Sequence, residues 1–325
     1  MAKEKKTEKI EVKLTDLPGI GPTTAAKLES SGYGDLMAIA VMTPSALSTI
    51  SELSESVARK AISAARKMLN LGFEDASEYM KERESIFKIT TGSKNLNALL
   101  GGGVETGAIT EAAGAFGSGK TQLAHCLAIN VQLSREEGGA EGKAVWIDTE
   151  STFRPERIKQ IATARGIDPE KALKGIFVAR AFNADHQMLL VEKINEMIQN
   201  GEPIKIIIVD SIIAHFRAEY AGRGMLADRQ QKINRHMHEL MKIAQARNIA
   251  IYITNQVMAN PAIMFGDPTT PIGGHIISHG STYRLYFRKG KKGSRVARMI
   301  DSPNLPDSEC LFFITEGGLA DEEKE

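Results

Sequence analysis

The chain has 325 residues, of which 42% are hydrophobic and 25% are charged, with 41 basic against 40 acidic residues. This composition excludes wholesale disorder, and the balanced charge means that any nucleic-acid site must come from local clusters of basic residues. The apolar runs are much shorter than the roughly 20 residues that a membrane span needs, and the two cysteines, Cys126 and Cys310, lie far apart. We therefore expect a soluble cytoplasmic protein that does not contact a membrane.

Four segments are predicted along the chain. Residues 1–13 mix Lys with Glu, lack the pattern of a signal peptide and predict a disordered tail. Residues 14–70 carry short helical patterns punctuated by Gly and Pro, which predict a small helical domain, and the densely charged residues 71–84 predict a linker. From residue 85 to residue 325, apolar β-like runs alternate with amphipathic helices, which predicts one large α/β domain.

The apolar runs of this α/β domain predict its sheet. The first five are each followed by a helical or loop segment, as expected for βαβ units: AITEAAG, AVWIDTE, GIFVARAF, IKIIIVDS and IAIYITNQ. The later runs, beginning with STYRLYFRKG, are closely spaced and predict an antiparallel edge. The predicted class is an α/β fold with a mostly parallel sheet flanked by helices.

A glycine-rich turn in the helical domain has the character of a phosphate site. The run LPGIGPTTAAKL places Gly19 and Gly21 in a tight turn before a helix whose first amides are free. Free amides and the helix dipole attract an anion, so the turn resembles a helix-hairpin-helix, which binds the DNA backbone without sequence specificity. The alternative is that the two glycines only close a helix turn.

The strongest motif is GAFGSGKT, which stands between a strand-like run and a helical run. It matches the phosphate-binding loop, in which glycines let backbone amides surround the phosphates. In this motif the Lys120 amine contacts the oxygens of the β- and γ-phosphates, and the Thr121 hydroxyl is a ligand of Mg²⁺. The alternative is an incidental glycine-rich turn. The predicted ATP-binding set is Gly114, Ala115, Phe116, Gly117, Ser118, Gly119, Lys120 and Thr121.

Three further strand ends supply polar side chains to the same sheet edge, where ligands bind in parallel sheets. Asp210 ends the run IKIIIVD and is predicted to help hold Mg²⁺, although an Asp in this place is also a common helix cap. Glu150 ends AVWIDTE and is the candidate general base, with a surface charge as the alternative, whereas Asp148 is a candidate structural residue. The run IAIYITNQ delivers Asn255 and Gln256, and Gln256 is predicted to sense the γ-phosphate.

Two segments that follow these strands are candidate DNA contacts. Arg217, Arg223 and Arg229 recur around a Gly-flanked turn, an arrangement that suits a phosphate backbone, with a solvated basic loop as the alternative. The run VMANPAIMFGDPTTPIGGH follows Gln256 directly and has no periodicity. Loops of this length inside compact domains are usually functional or mobile, so the sequence predicts a ligand-binding loop that responds to the nucleotide.

Nearly the whole chain resembles the archaeal RadA recombinases, which are relatives of bacterial RecA and of the eukaryotic strand-exchange proteins. One departure is Ser151, which stands where the family pattern DTEGTFRPER has Gly. The resemblance rests on these motifs: GAFGSGKT, WIDTESTFRPERI, VARAFNADHQ, IVDS, YAGRGMLADRQQ, TNQV and IGGHIISHGSTYRLYFRKGK.

The resemblance implies a RecA-like ATPase core behind a helix-hairpin-helix-type domain. It implies a DNA-dependent ATPase that forms a helical filament or a ring, binds single- and double-stranded DNA, and catalyses homologous pairing and strand exchange in DNA repair. It implies ATP and Mg²⁺ as cofactors, with the nucleotide between neighbouring protomers, and it allows recombination mediators as partners. Two alternatives remain, a hexameric RecA-fold helicase and a mediator that binds ATP and DNA without catalysing exchange.

The resemblance also implies roles for individual residues. Arg157 would stack on the adenine, Asp301 and Pro306 would belong to a cap over the neighbour's nucleotide, and His279 would sense the nucleotide across the interface. The segments 216–230 and 257–276 would face DNA, the second through Gly273 and Gly274. Phe73 and Ala76, in FEDA, would form a tether whose Phe enters a pocket on the next core domain.

Overall fold

The computed structural model describes residues 13–69, 75–259 and 269–322. The chain divides into two compact units, Met1–Lys81 and Glu82–Glu325. The predicted tail lies outside the described residues except for Lys13.

The first unit is a small helical bundle that opens with a short 3-10 turn over Leu14–Asp16. Its helices begin with residues that favour a helix start, because α1 and α3 carry Pro in the first turn and Thr43 caps α3 by accepting a hydrogen bond from the Ala46 amide. Apolar side chains from all four helices form a separate core. The helices are α1 (Pro22–Ser30), α2 (Leu36–Val41), α3 (Pro44–Ser51) and α4 (Glu55–Met68).

The second unit is built on a nine-stranded sheet, and two pairs of short strands lie beside it. The strands are β1 (Lys88–Ile89), β2 (Val104–Glu105), β3 (Ile109–Gly114), β4 (Lys143–Asp148), β5 (Ile176–Arg180), β6 (Ile204–Asp210), β7 (Ala250–Asn255), β8 (Val257–Ala259), β9 (Thr269–Pro271), β10 (Tyr283–Lys289), β11 (Arg295–Asp301), β12 (Glu309–Thr315) and β13 (Gly318–Ala320). The order in the large sheet is β13-β12-β11-β10-β3-β7-β6-β4-β5, and β8 pairs with β9.

The sheet is parallel from β10 to β5 and antiparallel from β10 to β13. The predicted mostly parallel sheet is therefore confirmed, and STYRLYFRKG (β10) does begin the antiparallel edge through its pairing with β11, but its other neighbour is a parallel strand, which the sequence did not predict. Strand β10 runs parallel to β3, with Leu285 beside Ala112. β10 can run parallel to β3 because the long connection after β7 contains a helix and returns the chain to the end of the sheet from which the parallel strands start.

Helices cover both faces of the sheet, as expected for an α/β fold. Side chains alternate along β6, so that Ile206 and Ile208 join one core and Ile207 and Val209 join the other. The helices of the second unit are α6 (Lys94–Leu99), α7 (Lys120–Asn130), α8 (Pro155–Ala164), α9 (Pro169–Lys174), α10 (Ala184–Gln199), α11 (Ala214–Glu219), α12 (Leu226–Arg247) and α13 (Gly274–Gly280). Helix α5 (Ala76–Arg83) spans the boundary between the two units.

Helix α12 has 22 residues and packs against β7 and α10 in the second of these cores. It ends at Asn248, which adopts a left-handed conformation with φ of 50°. The Asn248 Nδ2 donates to the carbonyl oxygen of Ser85 at 2.7 Å. The helix therefore runs from the basic segment after β6 to the start of the second unit.

Candidate active site

The phosphate loop lies between β3 and α7. Gly117 and Gly119 have φ of 74° and 110°, a region that favours glycine. A Cβ on Gly114 would lie 2.2 Å from the carbonyl oxygen of Phe287, so no other residue fits there without a backbone shift. The loop therefore turns tightly and ends at the N-terminus of α7, where free amides and the helix dipole attract phosphate.

Lys120 lies inside this loop. Its Nζ donates to the carbonyl oxygens of Gly114 at 2.7 Å and Ala115 at 3.0 Å. Burial lowers the pKa of Lys120, and the nearby carboxylates of Asp210 and Glu150 oppose that shift. The amine is thus held in the loop, close to both acidic groups of the cleft.

Asp210 is the centre of a cluster of hydroxyl groups. Its Oδ2 accepts hydrogen bonds from the hydroxyls of Thr121 and Thr152, both at 2.8 Å, and its Oδ1 accepts from the Thr254 hydroxyl. Burial raises the pKa of Asp210, whereas the three hydroxyl donors lower it. A carboxylate beside a threonine hydroxyl provides the hard oxygen ligands that Mg²⁺ prefers, so the donor set fits this ion.

Glu150 faces the cleft and is held by two donors. Its Oε1 accepts a hydrogen bond from the Ser211 hydroxyl at 2.5 Å and one from Gln256 Nε2 at 2.7 Å. Both bonds go to the same oxygen. A carboxylate held in this way has a fixed orientation in the cleft, which a general base requires.

The turn that carries Glu150 differs from the sequence prediction, because β4 ends at Asp148 and not at Glu150. The Asp148 carboxylate accepts from the amide of Thr152 at 3.0 Å and closes the turn. Within it, Ser151 has φ of 57°, the left-handed region in which glycine carries no steric cost. The departure from the family pattern at Ser151 therefore falls where the backbone favours glycine.

Gln256 links the cleft to the basic segment after β6. Its Nε2 contacts Glu150, and its Oε1 accepts from the Arg217 guanidinium at 3.4 Å. Its backbone oxygen accepts from the Ile272 amide at 2.9 Å. One residue thus contacts the candidate base, a candidate DNA ligand and the far stem of the segment over 257–276.

Arg157 lies at another part of the same cleft, which has a volume of about 1560 Å³. Its Nε donates to Gln122 at 2.8 Å, and its terminal nitrogens donate to the carbonyl oxygens of Thr315 at 2.6 Å and Glu316 at 3.1 Å. Burial lowers the pKa of Arg157. These bonds fix the guanidinium plane, which is a suitable surface for an aromatic base.

The structure brings most of the predicted nucleotide residues into this single cleft. Ser118 is the exception in the loop, because it is buried and does not line the cleft. Asp301 and Pro306 are exposed and do not line it either. The predicted residues that do line it are Gly114, Ala115, Phe116, Gly117, Gly119, Lys120, Thr121, Glu150, Arg157, Asp210 and Gln256.

The predicted basic loop over residues 216–230 is largely helical. Arg217 lies on α11, Arg223 lies in a 3-10 turn and Arg229 lies in the first turn of α12. Phe216 is fully buried and packs beside the ring of His236, with 5.8 Å between the ring centroids, so it is a core residue. The segment therefore consists of α11 and the start of α12 joined by a short turn, and Phe216 anchors α11 in the core.

Other predicted residues lie on separate elements. His279 lies on α13 and stacks on His275 at 5.7 Å, and Gly273 and Gly274 form the start of the same helix. Ala76 is the first residue of α5. The Phe73 prediction lies outside the described residues.

Gly19 and Gly21 stand before α1 in different environments. A Cβ on Gly19 would lie 2.3 Å from the Val57 side chain, so packing requires glycine there. Gly21 is the N-cap of α1 and is exposed, and no side chain caps this helix. The start of α1 therefore leaves amides that a phosphate could contact.

Sequence reasoning missed several side chains of the cleft. Thr152, Thr254 and Ser211 donate to the two carboxylates, and Gln122 orients Arg157. The sequence contained a signal for two of them, because Thr254 precedes Asn255 and Ser211 follows Asp210, and both of these strand-end residues were already candidates. Hydroxyl groups at such positions are within reach of neighbouring strand ends.

A protein-family model described as Rad51 matches residues 82–322, which is most of the chain. The chain belongs to the Rad51 family. A second model, a SAM-like helix-hairpin-helix tandem, matches residues 11–67. Both results confirm the predicted fold, a RecA-like core behind a helix-hairpin-helix-type domain.

Membership of the Rad51 family also establishes the general class of function. Rad51-family proteins are RecA-like recombinases that hydrolyse ATP in response to DNA, and they bind DNA and form oligomeric filaments. They bind ATP with Mg²⁺. Within the described residues, no helix is long and apolar enough to cross a membrane.

Proposed function

We propose that this Rad51-family protein is a recombinase of the archaeal RadA type that acts in the cytoplasm. It assembles on single-stranded DNA, pairs it with homologous duplex and exchanges strands in DNA repair. The observation that carries the proposal is the position of Gln256, which contacts both Glu150 and Arg217. A residue that joins a candidate base to a candidate DNA ligand supports ATP hydrolysis that depends on DNA.

ATP and Mg²⁺ are the proposed cofactors. Thr121 and Asp210 would hold the ion, and the phosphate loop and Arg157 would hold the nucleotide. Bound Mg²⁺ supplies positive charge that neutralises the phosphate oxygens. The mutual contact of the Thr121 and Asp210 side chains supports this assignment.

Three side chains would carry the chemistry of hydrolysis. Glu150 orients a water molecule and accepts its proton, and Lys120 stabilises the charge that develops on the transferred group. Gln256 detects the γ-phosphate and changes its contacts when the phosphate is lost. The separate hydrogen bonds that hold Glu150 and Lys120 support these different roles.

DNA contacts would come from both units. Arg217, Arg223 and Arg229 would neutralise phosphates of the bound strand, and Gly273 and Gly274 would let the backbone approach it. Gly19 and Gly21 would present the amides of α1 to the DNA backbone. The uncapped start of α1 supports this last assignment.

The remaining residues would act between protomers of a filament or ring. Asp301 and Pro306 would close over the neighbour's nucleotide, and His279 would respond to it. Phe73 and Ala76 would tether each protomer to the next, within a linker over residues 71–84. That linker would join a helical domain, residues 14–70, to the ATPase core, residues 85–325, and mediators would be further partners.

The decisive experiment measures ATP hydrolysis by the purified protein with and without single-stranded DNA, together with strand exchange and electron microscopy. We expect hydrolysis that DNA stimulates, helical filaments and exchange products. Directional unwinding of a forked duplex without exchange would identify a helicase. Binding of ATP and DNA without turnover or exchange would identify a mediator.

A further inference from the structure

The ribbon of β8 and β9 leaves the core directly after Gln256. Val257 pairs with Pro271 at the base of the ribbon. The next residue, Ile272, donates its amide to the Gln256 carbonyl oxygen, and the chain then enters α13. Both stems of the segment over 257–276 therefore meet at one point beside the catalytic cleft.

The Asn255 side chain fastens this point from inside the core. Asn255 is fully buried, and its Nδ2 donates to Glu111 Oε1 and to the Ile272 carbonyl oxygen, both at 2.7 Å. Both partners are acceptors in these bonds, and an amide group has two N–H donors. The orientation of the side chain is therefore fixed, because a flipped amide would place its oxygen against two other oxygens.

Glu111 is held in turn by a strand on its other side. It is fully buried, and its Oε2 accepts from Arg284 Nε on β10 at 2.8 Å. A buried carboxylate that has both an ion-pair partner and a hydrogen-bond donor is strongly fixed, because loss of either one leaves charge uncompensated. The chain of contacts runs from Arg284 through Glu111 and Asn255 to Ile272.

Strand β10 also reaches the ribbon directly. Tyr286 lies two residues after Arg284 and so projects from the same face of the strand. Its hydroxyl lies 2.5 Å from the Thr269 hydroxyl on β9. The second stem of the ribbon is thus tied to β7 through Asn255 and to β10 through Tyr286.

We propose that Asn255, fixed by Glu111, is the positioning residue that couples the nucleotide site to the DNA-facing segment. Its bond to Ile272 fixes the second stem to the end of β7, so a change in the conformation of Gln256, the next residue, is transmitted to that stem. This inference rests on the proposed function, in which the segment over 257–276 faces DNA. Coupling of this kind travels through contiguous contacts between two sites, and the hydrogen bonds of Asn255 supply such contacts.

The test measures the gain in affinity for single-stranded DNA that a non-hydrolysable ATP analogue produces. Asn255→Asp is nearly isosteric and sets a carboxylate against the Glu111 carboxylate and the Ile272 carbonyl oxygen. We expect the gain to fall by about tenfold, while the affinity for the analogue and the nucleotide-free affinity for DNA stay close to wild type. Asn255→Ser removes the same donors without added charge and preserves the test if the Asp variant fails to fold.

Asn130 offers a matched control. It is also a fully buried asparagine whose Nδ2 donates to a backbone oxygen, that of Thr90 at 2.6 Å, and whose oxygen accepts from Arg165. Asn130→Ser should lower the melting temperature to a similar extent as Asn255→Ser and leave the gain unchanged. This comparison separates positioning from general loss of stability.

Each remaining outcome overturns the proposal. A gain within twofold of wild type in both Asn255 variants would show that the contact does not carry the coupling. An equal loss in Asn130→Ser would show that the effect is one of stability. If the wild-type protein itself binds DNA equally with and without the analogue, the proposed function fails together with this inference.

Discussion

Replacement of Glu150 by Gln is the sharpest test of the catalytic assignment. The change keeps the shape of the side chain and one carbonyl-type oxygen, which can still accept from the Ser211 hydroxyl and from Gln256 Nε2. It removes only the negative charge and the capacity to accept a proton. The local structure should therefore survive the loss of the base.

The expected magnitude follows from the role of a general base. Proton transfer by a positioned side chain contributes about 10²- to 10⁴-fold to a rate, which corresponds to roughly 3–5 kcal/mol of transition-state stabilisation. We expect kcat to fall by that factor. The KM for ATP should change little, because Lys120, Thr121 and Asp210 keep their contacts.

The assay is steady-state ATP hydrolysis in the presence of saturating single-stranded DNA, with DNA binding and thermal melting measured on the same samples. Glu150→Asp is the control, because it keeps the charge and shortens the reach. A kcat for Glu150→Gln within about tenfold of wild type would refute the assignment of Glu150 as the base. A simultaneous loss of DNA binding and melting temperature would instead assign Glu150 a structural role.

Four further outcomes are expected. Thr121→Val should raise the Mg²⁺ concentration needed for half-maximal hydrolysis, whereas Thr121→Ser should not; an unchanged requirement would remove Thr121 from the metal site. Arg217→Ala should reduce the slope of log affinity for single-stranded DNA against log salt by about 0.7, and an unchanged slope would mean that it contacts no phosphate. Burial lowers the pKa values of His125 and His236 from 6.5 to about 4. Between pH 6.5 and pH 4 the unfolded chain therefore binds more protons than the folded chain, and the free energy of unfolding should decrease by about 3 kcal/mol per histidine as the pH falls through that window. Urea unfolding from pH 7 to pH 4 measures this, and a flat profile would contradict it. Ser151→Gly should stabilise the protein by about 0.5–1 kcal/mol, because the relief of the left-handed backbone outweighs the greater entropy that glycine gives the unfolded chain. A lower melting temperature would contradict this.

The sequence predicted those parts of the site that motifs and strand ends determine. The motif GAFGSGKT required a strand, a tight turn and a helix, and Asp210 had to follow a buried strand at the same edge. These constraints are local, because each depends on only a few neighbouring residues. The cleft that unites Lys120, Asp210 and Glu150 follows from them.

The sequence did not predict features that depend on contacts distant in the chain. The direction of β10 depends on the path of a long connection, whose length alone does not reveal a helix. The helical form of the segment around Arg217 depends on the burial of Phe216 beside His236. The hydroxyl groups around Asp210 come from Thr121, Thr152 and Thr254, which only the folded sheet brings together.

Helix α12 connects two distant parts of the second unit. Its 22 residues span about 33 Å at 1.5 Å per residue, and Arg229 lies at one end while Asn248 holds Ser85 at the other. Buried residues along its length, among them Met237, Leu240 and Ala244, hold α12 in the core. The arginine proposed to bind DNA and the cap that reaches Ser85 therefore stand on one continuous, packed element.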